Sequence, residues 1–119
     1  VENSVDNMNR QGKDVHNTNP GEELNYHGLL NTTTPSSQRG ANYGYPECFS
    51  AWDPSVLPNN ANIKVGTQFL IGTPSGSNTD AMCLQRQAPR LTFPSHTAPL
   101  DVKFNRNGTA AYIAFHGSW

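Results

Sequence analysis

Charge is scarce in this sequence. Only 14% of its 119 residues are Asp, Glu, Lys or Arg, and they nearly cancel, leaving a formal −1. Ordinary globular domains carry about 25%. No basic stripe is available to neutralise phosphates, so nucleic acid is excluded as an expected partner. Long apolar runs are missing as well. No stretch approaches the ~18 residues a spanning helix needs, so no membrane partner is expected. No positively charged start leads into an apolar segment of the signal-peptide kind. Large aliphatic and benzyl side chains are few: Leu, Ile, Val and Phe fill 22 of the 119 positions. That poverty leans towards disorder, but the high net charge that accompanies disorder is absent. Several chemistries drop out by motif. There is no Gly-x-Ser-x-Gly elbow, phosphate-binding glycine loop or dinucleotide fingerprint. The four histidines (His16, His27, His96 and His116) lack zinc-pair spacing, and the two cysteines are too far apart for a Cys-x-x-Cys site.

What fills the chain is turn formers: 14 Asn, 10 Gly and 9 Pro. Each favours turns for its own reason, from positive φ to a fixed φ to side-chain bonds with the backbone. The composition therefore predicts an all-β chain of short strands and long loops, a single domain over residues 1–119 with no internal repeat. Residues 1–20 read as a polar loop. Residues 21–30 read as a short strand or irregular segment. Residues 48–62 allow one helical turn at most, because Pro54 and Pro58 break it. Residues 63–72 fit a strand with a glycine interruption, and residues 73–90 a Ser/Gly/Asn loop closed by Cys83. Residues 91–104 hold two short strands around a proline bend. The strongest local pattern is LDVKF–NRNG–TAAYIAF, a hairpin turning at residues 105–108, with Asn107-Gly108 suited to a type I′ turn. The final strand runs into His116-Gly117-Ser118-Trp119, where a finished domain would rarely stop. The expectation is that the chain is a piece of a longer one.

Cys48 and Cys83 suit one disulfide, closing a loop of about 36 residues worth roughly 3–4 kcal/mol in the chain-entropy model. Asn31 and Asn107 each open an N-x-[ST] acceptor sequon. Paired cysteines and sequons together favour a secreted, glycosylated protein. Two free buried thiols in a cytosolic protein are the alternative.

Glu22, Glu23 and Asn25 offer hard oxygens, as calcium requires, although no EF-hand pattern is present and a solvated turn is the plainer reading. His96 and His116 each sit at a loop–strand junction beside Pro or Gly, where side chains can enter a shared cavity. A lone histidine is more often structural. Trp52 and Trp119 read as core residues first.

Four segments then appear in order: PGEELN, GANYGYP, LTFPSHTAPLDVKF and AAYIAFHGSW. Together they resemble the soluble quinoprotein glucose/sorbosone dehydrogenase family. They are most similar to its secreted fungal branch, the pyrroloquinoline-quinone (PQQ)-dependent pyranose dehydrogenases. The likeness covers nearly the whole chain. It implies a six-bladed β-propeller, of which this chain is about two blades, with PQQ and calcium near the central axis. It implies oxidation of a sugar hydroxyl, a histidine taking the proton while hydride passes to the quinone, and calcium polarising the quinone carbonyl. Carried over by position, Ser4 and Val5 give backbone carbonyls to the cofactor calcium and Asn3 faces the quinone. Glu23, by carboxylate, and Tyr43, by carbonyl, match a second, structural calcium site of some members. His96 matches a position in the cofactor pocket. His116 and Trp119 lie where bacterial relatives present a basic residue to the quinone. The base histidine and the cofactor-clamping arginines are expected upstream, so no catalytic residue is assigned.

Two other readings stay open: a non-catalytic propeller that binds carbohydrate or protein, and a self-contained calcium-binding module. Taken alone, the 119 residues are expected to be inactive, to lack cooperative folding, and to self-associate through exposed strand edges. In the parent, the remaining blades would cover those surfaces. Neither the sugar preferred nor the electron acceptor is legible.

Overall fold

The computed structural model describes residues 1–117. Trp119, expected at the cofactor, lies outside the described residues. The strands are β1 (Asn9–Arg10), β2 (Lys13–Asp14), β3 (Glu22–Leu24), β4 (Cys48–Ser50), β5 (Gln68–Leu70), β6 (Leu91–Phe93), β7 (Pro99–Phe104) and β8 (Ala111–Phe115). They pair as four antiparallel two-stranded sheets, β1–β2, β3–β6, β4–β5 and β7–β8. The all-β, loop-rich expectation matches this architecture. Among the described residues, helix is limited to a 3₁₀ turn at Pro54–Val56 and one α turn, α1 (Asp80–Cys83).

Local chemistry explains where the elements fall. The 3₁₀ turn starts at Asp53, whose carboxylate accepts from Ser55 N, and Pro54 takes a position that needs no N–H. α1 was expected as loop. Thr79 Oγ1 accepts from Met82 N at 3.2 Å and Asp80 occupies the first turn, so a capped helical turn forms and carries Cys83 inward. Residues 63–72 were expected as a strand with a glycine interruption. A turn with Thr67 N bonded to Lys64 O, and Gly66 at φ +82°, leaves only Gln68–Leu70 paired.

Hairpin geometry also departs from expectation. Gly108 takes positive φ (+68°), but Asn107 does not, so residues 105–108 do not form a type I′ turn. Gly108 N instead bonds to Asn105 O, and the Asn105 side chain accepts from Thr109 N at 2.8 Å and Ala110 N at 3.2 Å. That amide holds a longer loop closed. The two-residue turn with both central φ positive lies at Gln11 (+51°) and Gly12 (+79°), between β1 and β2, in a segment expected as loop.

The core lies beneath β4 and β5. Met8, Val15, Phe49, Ala51, Leu57 and Phe69 form one buried cluster, and Cys48, Leu70 and Cys83 a second. Cys48 and Cys83 are disulfide-bonded across a separation of 35 residues. Arg10 is 1% exposed within this body. Its guanidinium makes a bidentate pair with Asp80 (2.8 and 2.7 Å), donates to Leu70 O and Pro58 O, and lies over the Phe69 ring. A buried charge needs this degree of pairing to be tolerated. Arg10 holds the Asp80 carboxyl below the usual range.

Candidate functional site

Two adjoining polar regions hold most of the site residues expected from sequence, and β3 is their shared wall. The first is an open cleft of about 330 Å³ lined by Asn3, Ser4, Asp6, Glu22, His96, Ala98, His116 and Gly117. The fold thus gathers Asn3, Ser4, His96 and His116 from opposite ends of the chain. Val5 is turned differently: its side chain packs on the apolar cluster around Phe69.

Each wall of the cleft is pinned by named bonds. Ser4 N donates to Glu22 Oε2 at 2.7 Å, and Ser4 Oγ donates to Gly21 O at 2.9 Å. On the facing wall His96 Nε2 lies 2.6 Å from His16 O, and His96 Nδ1 lies 3.6 Å from Asp6 Oδ1. A backbone carbonyl accepts only, so the short contact makes Nε2 the protonated nitrogen. The loop that carries His96 is anchored to the last strand by His116 N to Ala98 O and Gly117 N to Thr97 O. Histidine spacing had shown no such relation, because it is tertiary.

The second region is a buried cluster of oxygens behind β3. Glu23 is 3% exposed and Gln68 is 3% exposed. Gln68 Nε2 donates to Glu23 Oε1 at 3.2 Å and to Tyr43 O at 2.9 Å, joining the two residues matched to a structural calcium. Glu23 Oε2, Asn25 Oδ1, Ser50 Oγ and Gln68 Oε1 are buried without a hydrogen-bond partner among the described residues. Burial pushes the Glu23 carboxyl up, and the neighbouring Glu2 carboxylate adds to that. A carboxylate, two amide oxygens, a hydroxyl and a carbonyl are the donors a hard cation takes, so the residues fit calcium in kind. Asn25, Ser50 and Gln68 were missed as members of this cluster. Asn25 had been noted beside the glutamates, but only the β4–β5 pairing brings in Ser50 and Gln68.

Size alone would point elsewhere. A larger hollow of about 420 Å³, between residues 64–68 and 83–89, is lined by no acid and no histidine. The sequon residues Asn31 and Asn107 are both exposed, as an acceptor must be.

Known proteins resemble this chain along nearly its whole length. The TrAA12-like family model matches residues 1–119. The chain is 50% identical over 119 residues to a pyrroloquinoline quinone-dependent sugar dehydrogenase of Hypocrea jecorina (strain QM6a), covering 99% of this chain and 27% of that protein. The calcium structure of a Trichoderma reesei carbohydrate-active enzyme of family AA12 superposes with a TM-score of 0.89 at 50% identity, over 98% of this chain and 28% of that one. The holo form of the PQQ domain of Coprinopsis cinerea pyranose dehydrogenase superposes at 0.81 with 38% identity, over 99% and 29%. The chain therefore spans less than a third of the length of these relatives. Its short sheets and long loops are those of part of a propeller, and the chain belongs to the TrAA12-like family.

Proposed function

We propose that residues 1–119 are part of a propeller domain of a secreted, glycosylated PQQ-dependent dehydrogenase that oxidises a hydroxyl of a pyranose sugar. The observation that carries this reading is the convergence of Asn3, Ser4, His96 and His116 on one cleft. When bound there, the quinone supplies the oxidising chemistry and calcium the Lewis acid. This chain's part is to hold and orient. Asn3, Ser4 and Asp6 form one wall, and the Ser4 and Val5 carbonyls are the ones offered to the cofactor calcium. His96 forms the other, its ring plane set by His16 O and Asp6. His116 closes the rim. The histidine that takes the substrate proton belongs to another part of the protein, as do the remaining blades.

A second calcium belongs in the oxygen cluster, held by Glu23 and the Tyr43 carbonyl with Asn25, Ser50 and Gln68. Gln68 now turns its amide nitrogen towards Glu23 and Tyr43, and a half-turn about its last bond presents the oxygen instead. The buried, unpartnered oxygens support this assignment.

The test uses the full-length protein freed of metal and cofactor. Adding PQQ with calcium should produce dye-linked oxidation of pyranoses, and either alone should not. Calcium alone should raise the melting temperature, and Glu23→Gln should remove most of that rise. A protein inert towards sugars under every combination overturns the dehydrogenase reading. A second reading applies to the 119 residues in isolation. Leu100, Phe104 and Tyr112 are each more than 60% exposed, which favours self-association over activity.

A further inference from the structure

Consecutive residues of a strand point to opposite faces. On β3 this sends Glu23 into the oxygen cluster and Glu22 into the cleft, where it is 4% exposed. Glu22 has no ion-pair partner among the described residues. Its two oxygens go instead to two backbone N–H groups on different walls. Oε2 accepts from Ser4 N at 2.7 Å, and Oε1 accepts from Ala98 N at the longer distance of 3.4 Å.

The Ala98 wall is the one that needs holding. His96 (φ +62°) and Ala98 (φ +45°) both occupy the left-handed region, which residues with a Cβ rarely adopt. Such conformations persist only where the surroundings over-determine them. Three backbone bonds do so here: His116 N to Ala98 O, Gly117 N to Thr97 O, and Ala98 N to Glu22. The first two tie the wall to β8. Of these three, the third ties it across the cleft to the Ser4 side, beside the His96–Asp6 contact at 3.6 Å.

We propose that Glu22 is a positioning residue of the cofactor cleft, one carboxylate setting the spacing between the Asn3–Ser4 wall and the His96–Ala98 wall. The proposal rests on the reading of the cleft as the quinone site. A carboxylate suits the task because both its oxygens accept, and both groups it faces donate. An amide of the same size can satisfy only one of them and turns an N–H against the other.

Two measurements on the full-length protein test it. The first needs no variant: amide hydrogen exchange without cofactor. Ser4 and Ala98 should both exchange at least about 100-fold slower than an unstructured peptide, since each N–H is bonded to a buried group. Exchange of either at the unstructured rate overturns the clamp. The second is fluorescence titration with PQQ in calcium, comparing the protein with Glu22→Gln. Affinity for the quinone should fall about 10–100-fold, the range seen when a group supporting a ligand is lost. The melting temperature of the cofactor-free protein should move by no more than about 2 °C, which separates positioning from a general loss of fold. Unchanged PQQ affinity in Glu22→Gln overturns the proposal. If the unsubstituted protein binds no PQQ, the dehydrogenase reading falls, and the clamp stands or falls on the exchange rates alone.

Discussion

The disulfide-linked body around Phe69 and the β7–β8 hairpin treat apolar side chains in opposite ways. In the body, Met8, Phe49, Leu57 and Phe69 are all 3% exposed or less. In the hairpin, Val102 pairs with Ile113 and Phe104 with Ala111, so one face of the ribbon is apolar. Yet Phe104 on that face is 65% exposed. Phe115 packs edge-on against the Phe93 ring, at 5.1 Å between centroids. A two-stranded ribbon with one apolar face is marginal until another layer packs on it. The difference teaches that the body is locally complete and the hairpin is not, in a chain that spans less than a third of its relatives.

Truncating one phenylalanine in each region probes that contrast most strongly. Phe69→Ala should cost about 3–5 kcal/mol, because a fully buried ring leaves a cavity. Phe104→Ala should cost under about 0.5 kcal/mol if the hairpin stays bare. In the full-length protein we expect about 3 kcal/mol for Phe104→Ala as well, with the next sheet packed on it. Urea unfolding of both variants decides this, and a small Phe104 effect there would leave the hairpin uncovered.

The bridge acts on the body alone. Reducing Cys48–Cys83 should cost about 2–4 kcal/mol. Amide exchange should quicken at Leu70 and Cys83, which pack at the bridge, while β7–β8 keeps its rates. Equal acceleration in both regions would mean the two unfold as one unit.

Acid offers the gentlest comparison. Asp80, beside Arg10, and Asp101, beside Lys103, both have carboxyl pKa values lowered by their basic partners. A depressed folded value gives stability that is present above the unfolded carboxylate pKa of about 3.9 and is lost as pH falls through the folded one. For Asp80 that stability is real, because Arg10 is buried and would be left unpaired. Asp80→Asn should cost about 1–2 kcal/mol at neutral pH, less than the 3–5 of a fully buried pair because Asp80 is 37% exposed. The loss should shrink as pH falls through the lowered Asp80 value. Asp101 sits in open solvent, so Asp101→Asn should change nothing measurable at any pH. Matching pH profiles for the two variants would show that burial does not separate them.

Much of this is legible in the sequence. The Cys48–Cys83 pairing followed from there being two cysteines, with two free thiols as the alternative. The β7–β8 ribbon followed from alternation and a turn cluster, although its turn type did not: the Asn105 side chain closes the loop, and propensity at Asn107-Gly108 could not reveal that. Asn3, Ser4, His96 and His116 were named by resemblance, and the fold brings all four to one cleft. Arg10 was invisible as a core residue, because nothing local distinguishes a buried guanidinium from a surface one. Glu22 was noted only as half of an acidic pair.

The sequence by itself determined that the chain is all-β and loop-rich, where most strands lie, and which family it belongs to, because turn formers, alternation and ordered motifs are local signals carried by adjacent residues. Only the tertiary structure decided that Glu22 reaches Ser4 and Ala98 while Glu23 turns into a cluster with Tyr43 and Gln68. Strand alternation separates two neighbouring glutamates by a whole sheet thickness, and which partners await on each side depends on segments far away in the chain.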